Sequence, residues 1–141
     1  MILGSYPSNL NLNNKEHIKI KCAFIKSLCN LQYTLPCSYC RESYKQFYKE
    51  LPIESYTNSK IDMLYWLYLL KDKVNKKLIK QELDFYTELH HKYIYKKITK
   101  EEYIKSAKVC FKTIPSPPFE KVLKDLVDYK GNCSKKMKKC I

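Results

Sequence analysis

Along the chain, a helical alternation of apolar and polar positions begins after residue 14. Ile18, Cys22, Ile25, Cys29 and Gln32 recur every three or four positions, and Ala23, Phe24, Leu28 and Leu31 widen that stripe. The spacing predicts a helix that begins near Asn14 and that Pro36 ends. Ahead of it, "MILGSYPSNLNLNN" carries Pro7 and an Asn-rich run, which oppose helix and predict an extended opening segment. A second helix is predicted to start at the cysteine pair of "LPCSYCR". Its apolar face continues through Tyr44, Phe47, Tyr48 and Leu51 to Pro52.

Asn58 or Ser59 can cap a third helix, over about 59–80. Leu64, Leu67, Val74 and Leu78 form its expected inward stripe. Lys71 interrupts that stripe, and Trp66 lies beside it near Leu70. Residues 82–96 also read as helical. Thr99 and Glu102 make a Thr-x-x-Glu capping box, opening a segment through about Phe111. "TIPSPPFEK" is a proline-rich breaker whose last proline can open a final helix, about 118–129, stopped by Gly131. The tail "NCSKKMKKCI" has no core pattern and is expected to be mobile. There is no internal repeat and no strand pattern, so the fold class is all-α.

Composition narrows the function. The chain has 141 residues, enough for one hydrophobic core. Two glycines argue against a glycine-rich phosphate loop or a turn-rich β-sandwich. The longest apolar run, "MLYWLYLL", is far shorter than the roughly 18–20 residues of a membrane span. Nothing resembles a secretory leader, so a cytoplasmic setting without a membrane span is expected. The net charge is +13, nearly all from lysine, with Arg41 the only arginine. A/T-rich coding explains such a bias, and so does binding to an anion. No basic run is interleaved with aromatics, so no specific nucleic-acid partner is expected.

Seven cysteines (22, 29, 37, 40, 110, 133 and 140) give weight to redox or metal chemistry where no secretory leader is expected. Cys37 and Cys40, at a helix start, face unpaired N–H groups that favour a thiolate, and Arg41 adds positive charge. A redox pair, half of a zinc site and two idle thiols all remain open on these residues alone. Zinc needs a second ligand pair. Cys133 and Cys140 are poorly spaced for it, His90 and His91 point to different helix faces, and His17 stands alone. No metal site is therefore assigned. Cys22, Cys29 and Cys110 read as core cysteines. Cys133 and Cys140 read either as a tail disulfide able to visit Cys37–Cys40 or as exposed idle thiols.

A helix feeding "LPCSYCR", followed about twenty-five residues later by "YWLYLLKDKVNKKL", resembles the Erv/ALR-type sulfhydryl oxidases, especially those of large DNA viruses. The resemblance covers about residues 3–80, and the C-terminal stretch is similar to that of some viral members. It implies a four-helix-bundle-type fold, a homodimer, and FAD held against the cysteine pair. It also implies that Cys37 exchanges with protein dithiol substrates and that Cys40 is the flavin-proximal thiol. O2 is then the final acceptor, giving hydrogen peroxide. Cys133 and Cys140 correspond to a shuttle pair.

The family's cofactor helix carries Trp, then His-Asn-x-Val-Asn-x-x-Leu. Those positions fall on Trp66, Lys71, Asp72, Val74, Asn75 and Leu78, so Lys replaces the His and Asp the first Asn. Lysine offers a phosphate a point charge rather than a stacking ring, and Lys77 and Lys80 offer the same. By the same resemblance, the family's first helix, bearing a Trp and a His ahead of a turn like "LGSYPSN", is expected to be missing. The expected organisation is a redox core at 1–80, a helical extension at 81–130 and a tail at 131–141. Two other readings are a flavin-free scaffold that keeps the bundle and a zinc-stabilised basic module.

Overall fold

The computed structural model describes residues 5–108 and 113–126. The described residues are helical wherever they are regular, and their only β-type pairing is a single bridge between Asn9 and Ser59. The all-α expectation holds. The chain divides into two compact units, Met1–Lys73 and Val74–Ile141.

In the first unit, α1 spans Lys15–Thr34. Asn14 caps it, its side chain accepting the backbone N–H groups of Glu16 (3.0 Å) and His17 (3.4 Å), as Asn at that position favours. The helix stops at Leu35, whose extended backbone is what the following proline demands. Helix α2 spans Ser38–Glu50 with Cys37 as its N-cap. Pro52 leads into a single 3-10 turn, Ile53–Tyr56. Ser59 then opens α3, Lys60–Ile94, by accepting the Asp62 N–H at 3.1 Å.

The core of this unit gathers Tyr6, Leu51, Ile53, Met63 and Trp66, with Phe24, Ile25 and Leu28 of α1 packed against it. Tyr6 donates its hydroxyl to the Thr57 carbonyl and meets Phe24 edge-on at 5.1 Å. The opening segment is thereby fastened to the loop before α3. Leu10 N–H also donates to Asn58 at 2.8 Å, and Lys60 N–H to Ser8 at 3.4 Å.

Two expectations about α3 are corrected. The periodicity suggested separate helices at 59–80 and 82–96, yet Lys60–Ile94 is one helix of 35 residues, about 50 Å long. No glycine or proline lies near position 81, so nothing breaks the ladder. The inward stripe also differs. Met63 and Trp66 are fully buried, whereas Val74 and Leu78 are 40% and 42% exposed and Lys71 is exposed. Leu64 and Leu67 of the expected stripe do pack against the core, together with Leu70, so the expectation holds over the first half of the helix and fails at Val74 and Leu78.

In the second unit, α3 ends in a two-bond C-terminal cap. Lys97 N–H returns to Lys92 (2.9 Å) and Lys96 N–H to Tyr93 (3.1 Å). That turn holds Lys96 at φ 55°, the left-handed region where glycine is usual. Helix α4, Lys100–Lys108, opens on the expected capping box. Glu102 N–H donates to Thr99 Oγ1 and Thr99 N–H to the Glu102 carboxylate, each at 3.2 Å. Its expected end near Phe111 lies outside the described residues. After Pro118, residues 119–126 form α5, with Lys121 and Val122 N–H groups donating to the Pro118 carbonyl. The rest of that helix to 129, and the tail, lie outside the described residues.

Candidate functional site: an exposed dithiol at a helix N-terminus

The turn between α1 and α2 is built around Cys37. As the N-cap of α2, its sulfur takes the place usually filled by a hydroxyl or carboxylate oxygen, accepting the Cys40 backbone N–H at 3.4 Å. Both Cys37 and Cys40 are exposed, and no disulfide joins them in this structure. The Cys37 thiol is held below the ordinary thiol value, first by a hydrogen bond from the Cys40 side chain and next by the Cys40 N–H. The Tyr39 N–H and the Arg41 charge act in the same direction. Tyr39, between the two cysteines, is 82% exposed.

Arg41 has a second task. Its Nη1 donates to the Leu35 carbonyl at 2.6 Å, satisfying a carbonyl at the end of α1 from the first turn of α2. One turn further along α2, Tyr44 donates its hydroxyl to the Leu28 carbonyl of α1. Burial pushes the Tyr44 phenol well above its usual range. These two bonds fix α2 on α1 and so fix where the dithiol stands. Sequence reading missed both. The available signal was the single arginine in a chain otherwise supplied with lysine: a planar guanidinium reaches a carbonyl from a defined direction, which an ammonium does not.

The other cysteines separate. Cys22 is exposed, so the expectation of a core residue is corrected: its position on α1 falls just off the stripe of Ile20, Phe24, Ile25 and Leu28. Cys29 is half-buried and accepts from Gln32 Nε2 at 3.3 Å. Cys110, Cys133 and Cys140 lie outside the described residues. Among the described residues no group of three or more His, Cys, Asp or Glu side chains is placed to hold a metal ion. His17 Nδ1 accepts the Asn11 N–H at 3.1 Å, while His90 and His91 contact different tyrosines, Tyr103 and Tyr95.

The expected cofactor residues are not equivalent. Trp66 is wholly enclosed by protein. Its Nε1 donates to the Leu51 carbonyl at 3.0 Å, and Tyr48 packs edge-on at 6.0 Å, so Trp66 is a core residue rather than an open stacking wall. Lys71 is exposed and Asp72 half-buried. In the second unit Val74, Lys77 and Leu78 are exposed, while the Asn75 amide donates to Ser116 Oγ at 2.9 Å.

Fold and site define a helical protein that displays a Cys-x-x-Cys pair at a helix N-terminus, with the Cys37 thiol held below its ordinary value. A profile of the Erv1 / Alr family matches residues 1–103, most of the chain, and the chain belongs to that family, whose members are generally thiol oxidases that bind FAD. Comparison with curated proteins and with solved structures finds no match. No helix among the described residues is long and apolar enough to cross a membrane.

Proposed function

We propose that this chain is an FAD-dependent thiol oxidase, which turns protein dithiols into disulfides with O2 as acceptor and releases hydrogen peroxide. In this reading it acts as a homodimer in the cytoplasm, in the manner of enzymes from large DNA viruses. The observation that carries the reading is the Cys37 sulfur, exposed, capping α2 and held below the ordinary thiol value.

The chemistry follows from that sulfur. With Cys37 and Cys40 joined, a substrate thiolate attacks Cys37 Sγ, the S–S bond breaks, and Cys40 leaves with the electron pair. The second substrate thiolate attacks the mixed disulfide and expels Cys37. The substrate is now a disulfide, the pair holds two electrons, and the two substrate thiol protons have passed to solvent or to the pair. A sulfur with a lowered pKa is a good leaving group, so the second step favours Cys37 as the exchanging member. Cys40 is then the member that passes electrons on. Cys133 and Cys140 are the proposed relay from substrate to this pair.

In this reading residues of α3 would hold the flavin dinucleotide. Exposed Val74 and Leu78 offer apolar surface, and exposed Lys71 and Lys77 offer positive charge to a diphosphate. Bound flavin would supply the two-electron acceptor that reoxidises the pair and delivers electrons to O2. Trp66 takes no direct part because its surface is already used. A flavin-free dithiol scaffold is the second reading, favoured by the engagement of Trp66 and Asn75 within the protein.

The visible spectrum of the purified protein separates the two. Bound flavin gives a band near ~450 nm, and reduction to a Cys40 thiolate adds a long-wavelength shoulder. A flavin-containing protein in which Cys40→Ser still oxidises dithiols at full rate rules out the assigned roles. A colourless protein that takes up no FAD favours the scaffold.

A further inference from the structure

The segment 113–118 lies on the second half of α3, and its contacts are specific. Thr113 donates its backbone N–H to both oxygens of the Glu82 carboxylate, each at 3.0 Å, and its hydroxyl to Glu82 Oε1. Three residues on, Ser116 Oγ accepts from the Asn75 amide at 2.9 Å. Asn75 and Glu82 are seven positions apart, about 10.5 Å along one helix face. Thr113 and Ser116, three residues apart in extended chain, span about 10 Å. The two spacings match when the segment runs antiparallel to the helix.

Pro115, Pro117 and Pro118 keep the segment extended, since proline disfavours helical backbone in the residue before it. They also remove N–H groups that would otherwise need partners. The Glu82 and Asn75 side chains fasten it at Thr113 and at Ser116. Between them, half-buried Ile79 shares the Asn75–Glu82 stripe, while Ile114 of the segment is 80% exposed. This segment lies outside the family match, which ends at residue 103.

We infer that residues 113–116 form a strap that competes with the cofactor for the Asn75 face of α3, so that this chain opens the strap when flavin loads. The inference rests on the flavin reading above. Lys71, Val74 and Leu78 stay exposed, so the strap covers that face only at Asn75; a site part-covered by its own chain binds with an affinity reduced by the fraction of molecules that are open. Weakening the strap without touching α3's own flavin-facing residues therefore tightens binding.

The test is titration of the full chain with FAD, followed by fluorescence, in the wild type, in a Thr113→Val/Ser116→Ala double variant and in Glu82→Gln. Circular dichroism checks that each is folded. The expected result is FAD binding about 5- to 20-fold tighter in both variants. In the wild type, amide exchange at Thr113, read by NMR, should become faster on saturation with FAD. Equal or weaker binding in the variants, or an unchanged or slowed Thr113 amide, overturns the strap while leaving the flavin reading intact. Failure of every variant to bind FAD overturns the flavin reading, and the strap inference with it.

Discussion

Arg41 Nη1 lies 2.6 Å from the carbonyl of Leu35, so the first turn of α2 caps the last turn of α1. The bond spans the very turn that carries Cys37. Through it, the position of the dithiol depends on a residue whose charge also bears on the Cys37 sulfur.

Arg41→Met keeps much of the aliphatic stem and removes the donor. It should cost about 1–2 kcal/mol of stability, measured by urea unfolding. Because the Arg41 charge is the smallest of the influences on Cys37, the thiol should move only slightly upward. A large rise in the Cys37 titration midpoint would contradict that order.

Cys37 should alkylate with a pH midpoint below that of an ordinary thiol. The folded chain favours its thiolate, so reactivity is retained above that midpoint and lost as pH falls through it. Cys40→Ala removes the largest stabilising contact and should raise the midpoint, although the backbone N–H at position 40 remains. Iodoacetamide labelling with mass spectrometry of the Cys37 peptide reads both values.

Trp66→Phe leaves a void beside Tyr48 and strips the Leu51 carbonyl of its donor. Combining those losses, the variant should be destabilised by about 2–4 kcal/mol. If Trp66 is a core residue, FAD affinity measured well below the melting temperature should not change. A selective loss of flavin binding with unchanged stability would return Trp66 to the cofactor.

Lys96→Gly should raise stability by about 0.5–1 kcal/mol, because glycine takes the left-handed backbone at the end of α3 without the Cβ penalty. Thermal unfolding of the two proteins side by side tests it.

What could be read from the sequence followed from local chemistry. Asn14, the Asn58–Ser59 pair and the Thr99–Glu102 box each mark a helix start, because a cap is satisfied by residues within one turn; of the pair, Ser59 is the cap. Pro36 and Cys37 marked the α1–α2 junction for the same reason. The long-range contacts stayed hidden. Nothing near Asn75 announces Ser116, 41 residues away, and nothing near Glu82 announces Thr113. The two helices expected at 59–80 and 82–96 are one, because no residue between them disrupts the helical hydrogen bonds. Val74 and Leu78 were placed inward because helical spacing cannot say which apolar stripe the rest of the chain covers.

The Tyr6 hydroxyl meets a carbonyl 51 positions later in the chain. A contact of that separation closes a long loop, whose entropic cost falls due before the contact returns anything. Helices α1 and α2 can pair through their short connection first. The arm bearing Tyr6 would then be the late arrival in folding, and its docking, rather than helix formation, would set the pace at which the first unit becomes native.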